Sequence, residues 1–148
     1  TFTQYKMASG TIHILHIEDD EVDAMVVHRA LKKTGFEYQL SQARNGLEAL
    51  DYLRGTNGAE KMASRPQVIL LDLNMPQMNG HEFLAELRAD AELCMIPVYI
   101  LSTSSDENDM LQAYKKNVAG YITKPVNLES YTEAIQVLFR YWSLIKML

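Results

Sequence analysis

Four acids, Glu18, Asp19, Asp20 and Glu21, stand in a row directly after an apolar run at residues 11–17. A lone acid, Asp72, follows a second apolar run at 68–71. Two further runs end in the hydroxyls Ser102, Thr103, Ser104 and Ser105 and in Thr123-Lys124-Pro125. Carboxylates packed close repel and raise one another's pKa unless a cation sits among them. Hard oxygen ligands with open positions suit Mg²⁺, which keeps waters and binds substrate phosphates. A carboxylate can attack phosphorus and become an aspartyl phosphate. The transferred group then needs positive charge and donors round its oxygens. Lys124, the Ser102 hydroxyl and backbone amides would supply them, so the set fits phosphoryl transfer to Asp72.

Those groups must be delivered to one rim. Residues 11–17 (TIHILHI) read as a buried strand, and 20–33 show helical spacing with Gly35 as a stop. Residues 36–43 alternate and read as a second strand. Asn45 and Glu48 form a capping-box pattern for a helix that ends at Gly55. A polar loop at 56–66 leads to 68–71, a central strand covered on both faces. Asn79 caps a helix with Phe83, Leu84 and Leu87 inward, and 96–101 form the fourth strand. Ser104 and Glu107 suggest a capping box for a helix through Met110, Leu111 and Tyr114. Residues 120–123 form a fifth strand, and Asn127 caps a last helix running close to Leu148.

Strand and helix thus alternate five times, which predicts an α/β, flavodoxin-like, doubly wound (βα)5 domain with a parallel sheet. In the order 2-1-3-4-5 the acids, Asp72, the hydroxyls and Lys124 converge where ligands bind such sheets, at the carboxyl ends of the strands.

The 148 residues fit one domain with a sizeable core. At 47% hydrophobic and 22% charged, the composition excludes disorder over most of the chain. A net charge of −5 argues against direct nucleic-acid binding. The single cysteine, Cys94, excludes an intrachain disulfide and suits a cytoplasmic location. No run reaches the ~18 apolar residues of a membrane span, and residues 1–10 lack the apolar core of a signal peptide. Residues 1–10 read as a tail, with Met7 a candidate start after vector-derived residues.

Four segments in order, IHILHIEDD, VILLDLNMPQMNG, IPVYILSTSS and GYITKP, resemble the receiver domain of two-component response regulators. The resemblance runs from Ile12 to the last helix. It implies a phosphoacceptor at Asp72 and an acidic pair, with Asp19 binding Mg²⁺ directly and Glu18 acting largely through water. It implies that the Asn74 backbone carbonyl binds the same ion, Ser102 is the switch hydroxyl, Lys124 contacts the phosphoryl group and Tyr121 is the switch aromatic. A cis Lys124–Pro125 bond is implied too, and Asn74 and Ser104 fall at the two positions that tune hydrolysis. The expected donor is a sensor histidine kinase. The protein would be a signalling switch, with self-catalysed phosphotransfer and autodephosphorylation, and not an enzyme acting on other substrates. IEDDEVDAM, the long loop before the third strand, STSSDE and FRYWSL resemble the small regulators paired with phytochromes. On this reading 11–148 form a single receiver domain without an output domain.

Blander readings stand beside these. Asp72 as a turn residue, residues 18–21 as a solvated acidic turn and Ser102 as a cap are each common when met alone. Asp20 is read as the cap of the first helix. His13, His16, His28 and His81 have no zinc-motif spacing, and His13 and His16 point to opposite faces of one strand. In the last helix Leu128, Tyr131, Ile135, Leu138, Trp142 and Ile145 form a core stripe. A second stripe, Val137, Tyr141, Leu144 and Leu148, lies about 100° around. It either widens the core or, with Tyr114 and Tyr121, forms a partner or homodimer surface. A haloacid-dehalogenase-type phosphohydrolase also uses an aspartyl phosphate. That family wants Asp-x-Asp after the first strand, and here the second position is Asn74 after the third. A flavin carrier of this topology needs a hydroxyl- and glycine-rich phosphate loop where this chain has four acids.

Overall fold

The computed structural model describes residues 11–148, so the tail expected at 1–10 lies outside the described residues. The elements are β1 (Ile12–Ile17), α1 (Glu21–Lys33), β2 (Tyr38–Ala43), α2 (Gly46–Arg54), β3 (Val68–Leu71), α3 (Gly80–Ala89), β4 (Val98–Ser102), α4 (Glu107–Lys115), β5 (Gly120–Thr123) and α5 (Leu128–Leu144). The five strands pair in parallel in the order β2-β1-β3-β4-β5.

Every residue of β1, β3 and β4 is buried, His13, His16 and Ser102 included, which accounts for the mainly apolar character of these strands. Ile12, Ile14, Val68, Leu70 and Leu101 pack on one face against α1 and α5, chiefly Val27, Leu31, Tyr131, Ile135, Phe139 and Trp142. Leu15, Ile17, Ile69, Leu71 and Ile100 pack on the other against Leu50, Leu53, Phe83, Leu84 and Leu87. Consecutive strand residues point to opposite faces, so one run feeds both half-cores.

Caps set where the helices begin. Asp20 Oδ1 accepts from the N–H groups of Val22 (2.8 Å) and Asp23 (3.1 Å). Asn79 and Glu82 form a complete capping box on α3. Asn127 caps α5 through Glu129 and Ser130. Gly80 brings α3 close to β3: a Cβ there would lie 2.6 Å from the Asp72 carbonyl oxygen and 2.7 Å from Leu73 Cα.

Some expectations are corrected. Asn45 accepts from the Glu48 N–H, but the Glu48 carboxylate accepts from the Tyr52 hydroxyl at 3.1 Å. Ser104 does not cap α4. Asp106 is the N-cap, and the Ser104 hydroxyl donates to Asp109 at 2.7 Å, a charge-assisted bond. Ala113 is the buried residue of α4, while Leu111 and Tyr114 are exposed. Leu128, at the start of the expected core stripe, is exposed, and Phe139 is fully buried in its stead. Strand β4 begins after Pro97, which has no N–H for the ladder. The Lys124–Pro125 bond is trans, not cis; trans is the favoured isomer of an X–Pro bond by about 0.5–1 kcal/mol.

Candidate functional site

The acidic rim forms where β1 and β3, paired side by side, both end. Ligand oxygens of Glu18, Asp19 and Asp72 lie within 4.8 Å of one another. Glu18 and Asp72 are buried and Asp19 is exposed, so the cluster opens to solvent on one side. Asp72 Oδ1 accepts from the Asn74 N–H at 3.3 Å, which orients the carboxylate.

Lys124 enters from the end of β5. Its ammonium is 2.6 Å from Glu18 Oε1, 2.7 Å from Asp23 Oδ2 and 3.8 Å from Asp72 Oδ2. Its backbone N–H donates to the Ser102 carbonyl at 2.7 Å, which extends the β4–β5 ladder past Thr123. Burial alone would lower the lysine pKa; the hydrogen bonds it donates to Asp23 and Glu18 outweigh that and raise it. The lysine is therefore a fixed positive charge.

One lysine faces Glu18, Asp23 and Asp72, and Asp19 joins the acidic cluster beside them. Burial pushes Glu18 up to about 8, the Asp72 charge adds to the shift, and the Lys124 hydrogen bond opposes it. Hard, mutually repelling oxygens that leave one member reluctant to ionise are a donor set that fits a small divalent cation. Beside it a cleft of about 480 Å³ is lined by Glu18, Asp19, Glu21, Arg44, Glu48 and Tyr52, among others.

Ser102 ends β4, completely buried, and its hydroxyl accepts from the Ser104 N–H at 3.1 Å. Tyr121, half-buried on β5, donates its hydroxyl to the Ser104 carbonyl at 2.8 Å. Asp109 accepts from the Ser104 hydroxyl and pairs with His81 Nε2 at 3.1 Å. Those two hydrogen bonds, the Ser104 one first, hold the Asp109 carboxyl below its ordinary range. A polar chain thus runs from Ser102 through the β4–α4 loop to the surface of α3.

Glu18, Asp19, Asp72 and Lys124 are brought together, and Ser102 and Asn74 adjoin them. Two participants escaped sequence reasoning. Asp23 is one, although it lies one helical turn after the Asp20 cap, inside the same acidic stretch. The His81–Asp109 pair is the other. His16 is buried, lowered to about 3 by burial and then by Lys124, and neither ring nitrogen is hydrogen-bonded, so it stays neutral. Of the surface candidates, Val137, Leu144 and Leu148 are more than half exposed, Tyr114 and Tyr141 about half, and Tyr121 less.

Comparison with known proteins agrees with this geometry. The model of the response regulator receiver domain family matches residues 14–136. The chain is 36% identical over 129 residues to the response regulator Rcp1 of Synechocystis sp., covering 87% of each. It is equally similar to the probable methanogenesis regulatory protein FilR2 of Methanothrix harundinacea, covering 87% of this chain and 82% of that one. The crystal structure of the phosphorylated cyanobacterial phytochrome response regulator RcpA superposes with a TM-score of 0.85 at 36% identity, covering 93% of this chain and 99% of that one. The Mn²⁺-bound form of Rcp1 superposes with a TM-score of 0.83 at 33% identity, with the same coverage. With sheet order, acidic rim and lysine all in agreement, the chain belongs to the response regulator receiver domain family, close to the phytochrome-associated regulators.

Proposed function

We propose that Asp72 is the phosphoacceptor of this signalling domain, that Mg²⁺ is its cofactor and that its donor is a sensor histidine kinase of the phytochrome type. The observation that carries the reading is the placement of Lys124 Nζ, 2.6 Å from Glu18 and 3.8 Å from Asp72, beside the Glu18–Asp19–Asp72 cluster. Likeness to RcpA and Rcp1 supports the phytochrome assignment.

In the proposed reaction an Asp72 carboxylate oxygen attacks the phosphorus of a phosphohistidine in line. The O–P bond forms as the N–P bond breaks, and the imidazole leaves with the electron pair and takes up a proton. Asp19, Asp72 and the Asn74 carbonyl would hold the metal, with Glu18 acting through water. Bound there, the metal neutralises charge on the phosphoryl oxygens. Lys124 and the Ser102 hydroxyl donate to those oxygens. Drawing Ser102 inward costs its bond from the Ser104 N–H and loosens the loop that Tyr121 holds. A local charge change then biases a two-state element, and the surface of Tyr114, Tyr121, Val137, Tyr141, Leu144 and Leu148 changes its affinity for a partner or a second copy.

The protein acts in the cytoplasm, without direct nucleic-acid contact, and the only catalysis assigned to it is its own phosphotransfer and dephosphorylation. No helix among the described residues is long and apolar enough to cross a membrane. The dehalogenase-type hydrolase finds no support. Intact mass after incubation with acetyl phosphate and Mg²⁺ tests the reading. A gain of one phosphoryl group, lost in Asp72→Asn and with EDTA, is expected; a labelled aspartate in the variant would refute it.

A further inference from the structure

Lys124 is claimed by a carboxylate that the phosphotransfer scheme does not use. Asp23 Oδ2 lies 2.7 Å from its ammonium, as close as Glu18 and over 1 Å closer than Asp72. An ammonium has three protons. Glu18 and Asp23 take two of them, and the Asp72 distance is too long for a hydrogen bond. The Lys124 side chain is 6% exposed and Asp23 24%, so water screens this pair poorly. Asp23 is itself fixed, because it sits in the first turn of α1 with its N–H held by the Asp20 cap. Its charge therefore pulls Lys124 toward α1 and away from the acceptor.

We propose that Asp23 is a positioning residue that competes with the phosphoryl group for Lys124 and so favours the resting state of the switch. The inference rests on Asp72 being the acceptor. A phosphoryl group on Asp72 adds anionic oxygens that attract the Lys124 ammonium, and any shift of the ammonium toward them lengthens its 2.7 Å contact with Asp23. The balance between the two claims on one ammonium sets how strongly the phosphorylated form is held. Glu21, on the same turn, makes no ion pair with Lys124 and provides a charge control.

Beryllofluoride, a phosphoryl mimic that adds to the acceptor carboxylate, is the probe, titrated at saturating Mg²⁺ and followed by fluorine resonance. Asp23→Asn is expected to bind it about fivefold or more tightly than wild type. Asp23→Glu should return toward wild type, and Glu21→Gln should change by less than about twofold. In a Lys124→Ala background the Asp23→Asn effect should vanish, since it acts through the lysine. Unchanged or weaker binding by Asp23→Asn overturns the inference, as does an equal gain in Glu21→Gln. Wild type that forms an adduct at Asp72 while Asp23→Asn gains nothing sinks the Asp23 role alone. No adduct in wild type sinks the acceptor assignment together with it.

Discussion

The Tyr121 hydroxyl donates to the Ser104 backbone carbonyl at 2.8 Å, tying β5 to the loop between β4 and α4. The same loop donates the Ser104 N–H to the Ser102 hydroxyl. The two bonds hold the loop from both of its neighbouring strands. Tyr121→Phe removes one of them at nearly constant volume, and the expected cost is about 0.5–1.5 kcal/mol of stability. Hydrogen exchange should also quicken locally, at residues 103–106, with the sheet unaffected. Equal acceleration throughout the chain would mean that the bond acts on global stability and not on the loop.

Metal affinity should depend on pH through Glu18. Its pKa is raised by burial to about 8 in the folded chain, above its ordinary value of 4.5. A raised group stabilises the fold below its unfolded pKa and loses that contribution as pH rises through the folded one. The metal-free protein should therefore lose stability between pH 4.5 and about 8 on account of Glu18. A cation favours the ionised carboxylate, so binding below about pH 8 releases a proton. Affinity should rise roughly 20-fold from pH 6.5 to 8.5. Titration calorimetry in two buffers of different ionisation enthalpy reads the released proton, and Glu18→Gln should flatten the profile.

Gly80→Ala should damage both fold and site. The added methyl would lie 2.6 Å from the Asp72 carbonyl oxygen, and both are backbone-anchored. Overpacking of this kind costs about 1–3 kcal/mol. Urea denaturation should show the loss, and acetyl phosphate should label the variant more slowly. A variant as stable as wild type would mean that α3 slides freely along β3.

The exposed stripe of α5 is predicted to act in self-association. Val137 and Leu144 are 58% and 63% exposed, so Val137→Asp with Leu144→Asp should leave the monomer folded. Light scattering should find the phosphorylated wild type dimeric and the double variant monomeric. A wild type that stays monomeric with and without the phosphoryl group would remove this surface from dimerisation.

Legibility followed how local each determinant is. The strand ends are readable because the apolar stretches of β1, β3, β4 and β5 close in polar residues, which brings Asp72, the acids, Ser102 and Lys124 to one rim. Asp23 was not readable, since its contact depends on the rotation of α1 and the reach of a lysine 101 residues away. Ser104 and Asp106 are both capping types, and only the nearby Asp109 decides that Ser104 turns elsewhere. Leu111 and Tyr114 are apolar yet exposed, because residue type does not bind a side chain to the interior.

Arg88 donates to four carbonyls, those of Cys94, Ile96, Lys116 and Asn117, and so fastens the last turn of α3 to the loops before β4 and β5. Gly80 presses the first turn of the same helix against Asp72. Helix α3 is thus moored at both ends, whereas α4, tied through Asp109 and the Lys116 carbonyl, has one buried residue, Ala113, and no side-chain bond at its N-cap. A displacement starting at Asp72 would meet a firmer wall in α3 than in α4. On the proposed reading, a change at Asp72 is therefore expected to move α4 more than α3, so that the direction of signalling would follow where the domain yields.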